Sequence, residues 1–260
     1  MSQCPVCNGQ DNAIVSICLV AAYYGKTMHG FECGECGLIR YPDNLGAFKK
    51  VLESSNHASQ DRSLRNANDE RPGREFYMAE MGLEVLGKKD ASISFFGSGL
   101  NTDHIWIKGK YPEATTKLVD LENMQDAENF EAIANATPSD IVIAAEVIEH
   151  FTEPVEHFQS LLRLLKPNGI LICSSNIYDG TDLSHHIYPF VPGHVAYWTP
   201  LSLIKLASDN GCFVDFRTPE IGLTRGGPRK KYIIFYRGVE MLFRMSLYFG
   251  SHMHAPSEKV

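Results

Sequence analysis

The chain has 260 residues, 44% of them hydrophobic and 21% charged, which excludes fibrous and disordered classes and leaves room for one large α/β domain plus a small module. A formal net charge of −7 argues against broad attraction to nucleic acid, which needs clustered Lys and Arg. No run approaches the roughly 18 to 20 apolar residues of a membrane span, and Met1-Ser2-Gln3-Cys4-Pro5 lacks the basic-then-apolar pattern of a secretory signal. A cytoplasmic, reducing location is therefore expected.

In that compartment the seven cysteines read as ligands or core residues rather than disulfides. Cys4-Pro5-Val6-Cys7 and Cys33-Gly34-Glu35-Cys36 are two Cys-x-x-Cys knuckles around a segment able to form two strands, 14–24 and 27–32. Four thiolates in two tight pairs match the tetrahedral, sulfur-rich preference of Zn²⁺, so Cys4, Cys7, Cys33 and Cys36 are assigned to a structural zinc ribbon over residues 1–45. A redox dithiol would need a single such motif at a strand-to-helix junction. Cys18, Cys173 and Cys212 read as small buried hydrophobes.

A connector and leading helix are expected over 46–89: a short helix at 48–52, a polar loop over 54–74, then an amphipathic helix from Phe76 to about Gly87 carrying Phe76, Met78, Ala79, Met81, Leu83, Val85 and Leu86. Ser92 to Phe96 follows as a strand leading into Gly97-Ser98-Gly99-Leu100-Asn101, a turn whose missing side chains admit a ligand close to backbone N–H groups. Lys117 to Leu121 reads as the next strand, with Asp120 at its end. A carboxylate about 20 residues after a glycine turn can accept two ribose hydroxyls, with Glu122 in reserve. Residues 123–138 leave space only for a third strand that is abbreviated or absent, around Phe130 and Ala132.

Asp140 to Ala145 is a nearly unbroken apolar run, as expected of a buried parallel strand, and Glu146-Val147-Ile148-Glu149-His150-Phe151 turns polar where that strand leaves the sheet. A helix over 154–165 ends at Pro167 and Gly169, and 169–176 is a further buried strand. The loop after it carries His185, His186, Tyr188, His194 and Tyr197, residues suited to a substrate pocket and to proton transfer near neutral pH. Thr199 to Asn210 is helical, 213–218 and 231–236 form an antiparallel pair, and Arg225 to Lys231 is a basic hairpin loop able to meet a phosphate. Residues 239–248 form an amphipathic helix expected to dock on the zinc module or on a second copy of the chain.

The run Asp-Ile-Val-Ile-x-x-Glu-Val-Ile-Glu-His-Phe at 140–151, followed by Leu165-Lys166-Pro167-Asn168-Gly169-Ile170-Leu171, resembles class I S-adenosylmethionine (SAM) dependent methyltransferases. The likeness is to the branch of ubiquinone-biosynthesis O-methyltransferases and deoxysugar C-methyltransferases and covers roughly residues 90 to 236. It implies an α/β, Rossmann-like sheet over 90–238 behind the small N-terminal zinc-binding β module, with a C-terminal helix and tail over 239–260. It also implies SAM held by Gly97, Ser98, Gly99, Asp120, Leu121 and Glu146, and an N-terminal module that forms the substrate side of the cleft. In the ubiquinone branch, side chains matching Glu146, Glu149 and His150 go with a divalent cation. In the sugar branch a Glu-His pair acts in base chemistry; here His194 matches the histidine and Gly193 stands at the glutamate.

The chain departs from the family at Phe95, where an acidic residue is usual, and at Asn101, where a third glycine is usual. The expected function is methyl transfer to a small polar acceptor, a sugar or sugar nucleotide, on oxygen ahead of carbon. His194 is the candidate general base, and His185, His186, Tyr188 and Tyr197 are substrate contacts. A zinc-finger rRNA methyltransferase and a non-catalytic scaffold with a degraded SAM site stand as alternatives.

Overall fold

A computed structural model describes residues 2–44, 71–219 and 229–250. The expected helix at 48–52 and residues 225–228 of the basic loop lie outside the described residues.

The main sheet has seven strands among the described residues: β4 (Ser92–Phe96), β5 (Thr115–Asp120), β6 (Phe130–Ala132), β7 (Ser139–Ala145), β8 (Leu165–Asn176), β10 (Phe213–Arg217) and β11 (Lys230–Tyr236). Their order is β10-β11-β8-β7-β4-β5-β6. From β4 the chain runs outward through β5 and β6, then returns to the other side of β4 with β7 and β8, all parallel. β11 enters antiparallel beside β8, with β10 antiparallel to it. The gap between β4 and β7 is thus the point where strand order reverses, and ligands of open α/β sheets sit at the carboxyl ends of such strands.

Alternate residues of the central strands feed two cores because helices cover both faces. Val142, Ala144, Leu171 and Cys173 pack with Phe158 and Leu161 of α3 (Pro154–Arg163) and Leu203 and Leu206 of α4 (Pro200–Asp209). Ile141, Ile143, Ile170 and Ile172 pack on the other face against α1 (Arg74–Leu86), Ile107 of α2 (Asp103–Lys110) and α5 (Val239–Phe249). Each fully buried side chain of this kind stabilises the fold by about 1.5–3 kcal/mol. Thr199 caps α4 through a reciprocal pair of bonds with Ser202, and Pro200 sits in its first turn, where no N–H is needed.

The N-terminal module pairs β1 (Asp11–Ile17) with β2 (Thr27–Cys33). The first strand is shorter than the expected 14–24: after Cys18 the backbone bonds to Lys26 and Gly25 close a loop, with Gly25 at φ 76° and Ala21–Tyr23 in a 3-10 turn. The sheet continues through β3 (Ile39–Arg40) into β9 (Ala196–Tyr197), a strand from the far half of the chain. Cys4, Val6, Cys33, Cys36 and Leu38 share the core of α3 and α4, so module and main sheet are packed as one body.

α5 docks on α1, where Met241 and Met245 enter the core and Arg244 and Tyr248 bond to the Leu86 carbonyl and Glu84. This corrects the expected contact with the zinc module: the apolar stripe of α5 matches the sheet face it follows in the chain. No described helix is long and apolar enough to cross a membrane.

Candidate functional site

At the cysteine knuckles Cys4 Sγ lies 3.7 Å from Cys36 Sγ and Cys7 Sγ 3.3 Å from Cys33 Sγ, and all four sulfurs fall within 4.8 Å of one another. A tetrahedral ion with Zn–S bonds of about 2.3 Å holds its sulfurs about 3.8 Å apart, so the set fits zinc. Gly9 donates its N–H to Cys7 Sγ, and Glu35 and Cys36 donate theirs to Cys33 Sγ, each at 3.4 Å; N–H donors favour thiolate over thiol. The Cys36 side chain lowers the Cys4 pKa, whereas burial raises that of Cys7 and the Cys4 contact raises that of Cys36, so Cys4 is the thiol inclined toward thiolate. With four protein ligands the site is closed and suited to holding structure.

Across the molecule, β4 ends in the glycine turn. Gly97 and Gly99 have φ 65° and 50°, the left-handed region, and a Cβ at Gly97 would lie 2.7 Å from Val147 Cγ2. The Asp120 carboxylate accepts the Gly99 N–H at 2.9 Å and the Leu121 N–H at 2.7 Å. Each oxygen keeps a second lone pair for a hydroxyl, so turn and acid fit a nucleoside. Leu121 is exposed at the rim beside them, and Ser98 is half-buried. β6, at Phe130–Ala132, is as short as the spacing predicts.

Sequence reasoning missed two supports of this turn. Gln125 donates to the carbonyls of Gly99 and Asn101, both at 2.9 Å. Asn101, the departure from a third glycine, donates to buried Glu75 at 2.7 Å, and Asp103 accepts the N–H groups of Gly73 and Phe76. Burial, and after it the neighbouring Asp103, raises the Glu75 pKa to about 7 against the pull of Arg74. Phe95 is wholly buried on the strand and offers no polar contact.

At the end of β7 the two glutamates part company. Glu146, at φ 55°, bonds Arg74 at 2.9 Å, Lys230 and Ser174. Desolvation works against its charge, but the two cations prevail and its pKa is lowered. Glu149 is fully buried without a lysine or arginine bonded to it among the described residues. It accepts from Tyr188 Oη at 2.5 Å and Ser175 Oγ at 3.4 Å, and His194 Nε2 lies 3.9 Å away. Burial first, then Glu146, raise its pKa.

Beside Glu149 the rings of His150 and His194 meet edge to face at 5.0 Å, and Tyr188 packs on His194 at 4.3 Å. The expected cation set of Glu146, Glu149 and His150 is therefore not assembled: Glu146 is taken by Arg74 and Lys230, and the cluster is Glu149, His150 and His194. His194, expected as the general base, lies in this cluster; burial, then His150, lowers its pKa to about 3, so its imidazole is uncharged at neutral pH and a weak base.

Of the expected substrate contacts, Tyr188 joins this cluster. His186 is buried, its two nitrogens facing Thr181 Oγ1 at 2.7 Å and Tyr197 Oη at 3.2 Å. Tyr197 is buried in β9, and His185 is exposed near Asp182. His186 and Tyr197 are thus engaged in the loop's own packing, and His185 stands outside it. Of the basic loop, Arg229 pairs with Asp179, Lys230 with Glu146 and Lys231 with Thr218.

The reversal of strand order, the glycine turn and the acid ending β5 define a nucleoside-binding α/β protein, and the antiparallel β11 beside β8 gives the sheet of class I methyltransferases. The family described as Methyltransferase domain matches residues 78–215, more than half of the chain. The chain belongs to that family, the SAM-dependent methyltransferases. Ubiquinone biosynthesis O-methyltransferase of Cereibacter sphaeroides is 29% identical over 99 residues, 38% of this chain and 34% of that protein. Its counterpart in Roseobacter denitrificans is 24% identical over 47% of this chain and 44% of that protein. The match thus spans less than half the length of these curated relatives. Among solved structures, an O-methyltransferase family protein from Burkholderia thailandensis is similar at 18% identity and TM-score 0.49, over 75% of this chain and 68% of that one.

Proposed function

We propose that the protein transfers the methyl group of SAM to a hydroxyl of a small polar acceptor, a sugar or sugar nucleotide, and that its cysteine tetrad holds a structural Zn²⁺. The observation that carries this reading is a juxtaposition: Val147, between Glu146 and Glu149, sits against Gly97, so the nucleoside-fitting turn and the buried polar cluster adjoin at the carboxyl ends of the central strands β4 and β7. The names of the curated relatives favour oxygen as the acceptor atom, and Gly193 removes the glutamate that the carbon-methylating pattern would use.

SAM, when bound, supplies a methyl group on a good leaving group, so catalysis reduces largely to alignment. Gly97, Ser98 and Gly99 admit the amino-acid end, Asp120 takes the ribose hydroxyls and Leu121 covers the nucleoside. Glu146, held by Arg74 and Lys230, fixes the neighbouring loop. Glu149, with its raised pKa, draws the acceptor's proton, while His194 and Tyr188 position the hydroxyl.

Calorimetry with SAM and its demethylated product, followed by label transfer from SAM to a panel of sugars, sugar nucleotides and catechols, tests this. Binding of both ligands and label on an oxygen are expected. A chain that binds neither is the scaffold of the alternative reading, and label on RNA alone replaces the acceptor class.

A further inference from the structure

We propose that the outer edge of β1 is a docking site for an extended, lysine- or arginine-bearing segment of a partner protein, which adds to the N-terminal sheet as a further strand. An unpaired stretch of backbone there lies along a groove whose charged lining residues are Glu32 and Asp182.

β1 stands at the end of its sheet, with β2 on one side and no strand on the other among the described residues. The backbone groups of an antiparallel strand alternate between its two sides, and the bonds at the ends of β1 show which residues face outward. Just past the strand, Cys18 donates its N–H to the Lys26 carbonyl, on the β2 side. Asp11 donates to the Ser2 carbonyl at 3.2 Å and Leu19 to the Ser184 carbonyl at 2.8 Å, on the opposite side. Ala13, Val15 and Ile17, of the same parity as Asp11 and Leu19, therefore turn their N–H and C=O groups to the open edge. The run from residue 13 to residue 17 is about 14 Å long, room for a segment of about five residues.

Strand edges are usually guarded by charges, prolines or bulges. Ala13, Val15 and Ile17 supply none of these, and Val15, Ile17 and Leu19 are 60%, 48% and 49% exposed. A groove of about 570 Å³ runs beside them, walled on the far side by Tyr178, Thr181 and Leu183. That volume is in the range of ligand clefts, and the wall belongs to the loop after β8, so an occupant touches both the N-terminal module and the methyltransferase domain.

Charge decides between occupants. Glu32 and Asp182 line the groove and no lysine or arginine does. Arg229 bonds Thr181, but Asp179 takes its charge, and His185 is the histidine near Asp182. Two copies of the chain meeting edge to edge would set acid against acid, whereas a cationic segment is drawn in. Docking here does not depend on methyl transfer.

The test uses the full-length, zinc-loaded protein and capped pentapeptides of alternating lysine and valine or of alternating glutamate and valine, read by calorimetry and amide exchange. The lysine peptide should bind at least about tenfold tighter than the glutamate peptide and slow exchange at Ala13, Val15 and Ile17. Glu32→Gln combined with Asp182→Asn should erase that preference. Val15→Pro removes an outward N–H and leaves the ladder to β2 intact, a position where an edge strand tolerates proline, and should weaken binding. Of two lysine peptides N-methylated at alternate residues, one should lose binding and the other keep it, because every second N–H of an added strand faces β1. Equal binding of the two charge types, unchanged exchange at the three residues, or N-methylated peptides that bind alike overturns the assignment. So does a wild-type dimer in sedimentation that Val15→Pro converts to a monomer, since the edge then belongs to a second copy. Should Val15→Pro fail to fold by circular dichroism, the N-methylated pair decides.

Discussion

Four sulfurs near the N-terminus and a carboxylate with two imidazoles at the end of β7 are both gathered donor sets, but the chain gathers them by opposite means. The sulfurs come from two short knuckles whose own N–H groups point at them. Glu149, His150 and His194 come from two separate segments, held by a tyrosine, a backbone carbonyl and an asparagine of the distant module. A locally built set is rigid by its own turns; a set built at long range is as precise as the packing between the elements that carry it.

The largest expected effect falls on the local set. Cys33→Ser opens the tetrad beneath Leu38 and α4 and should cost more than about 4 kcal/mol in urea unfolding, with zinc lost from the purified chain. An unchanged midpoint would mean that the sulfurs only pack. Next, Glu146→Gln leaves Arg74 and Lys230 without their carboxylate and should cost about 4 kcal/mol. An equal cost for Glu149→Gln, which has no lysine or arginine bonded to it among the described residues, would erase the distinction drawn between the two glutamates.

Glu75 gives a pH signature. Its carboxyl ionises at about 4.5 in the unfolded chain and at about 7 in the fold, so the fold prefers the protonated form. Stability is free of this penalty below pH 4.5, falls as pH rises to 7 and then levels off, by on the order of 3 kcal/mol. Glu75→Gln should remove that slope and be the more stable protein at pH 8; thermal unfolding of both proteins across pH 4 to 8 checks it. Smallest, Asn44→Ala should cost about 1 kcal/mol of stability while leaving zinc content intact and loosening the loop of His194. Faster amide exchange confined to residues 191–195 is the expected readout, and uniform exchange would deny Asn44 that task.

The same contrast explains what could be read from the sequence. The knuckles, the Gly97 turn, Asp120 and the helices at 154–163 and 200–209 announce themselves through contiguous residues and a 3.6 period, and the structure has them where expected. Gln125 strapping the glycine turn, Arg74 and Lys230 closing on Glu146, and Asn44 holding the His194 loop join positions 24 to 150 residues apart, and no local pattern marks them. Glu146 in a left-handed backbone is equally silent, because a non-glycine residue there is set by its surroundings. The bond between His186 and Tyr197 is silent for a related reason: polar aromatic residues in a loop suggest a pocket, and nothing in their spacing shows that they face one another.

The pairing of Ile39 with Tyr197 and of Arg40 with Ala196 has a practical reach. A shortened clone beginning at residue 71 would strip β9 of its neighbour and uncover Trp198, Leu203 and Leu206, leaving a raw strand edge beside a greasy hollow that invites precipitation during expression. Cutting this protein into separately produced halves, or exchanging its front piece for that of a cousin, demands that the receiving strand and the side chains beneath it travel together.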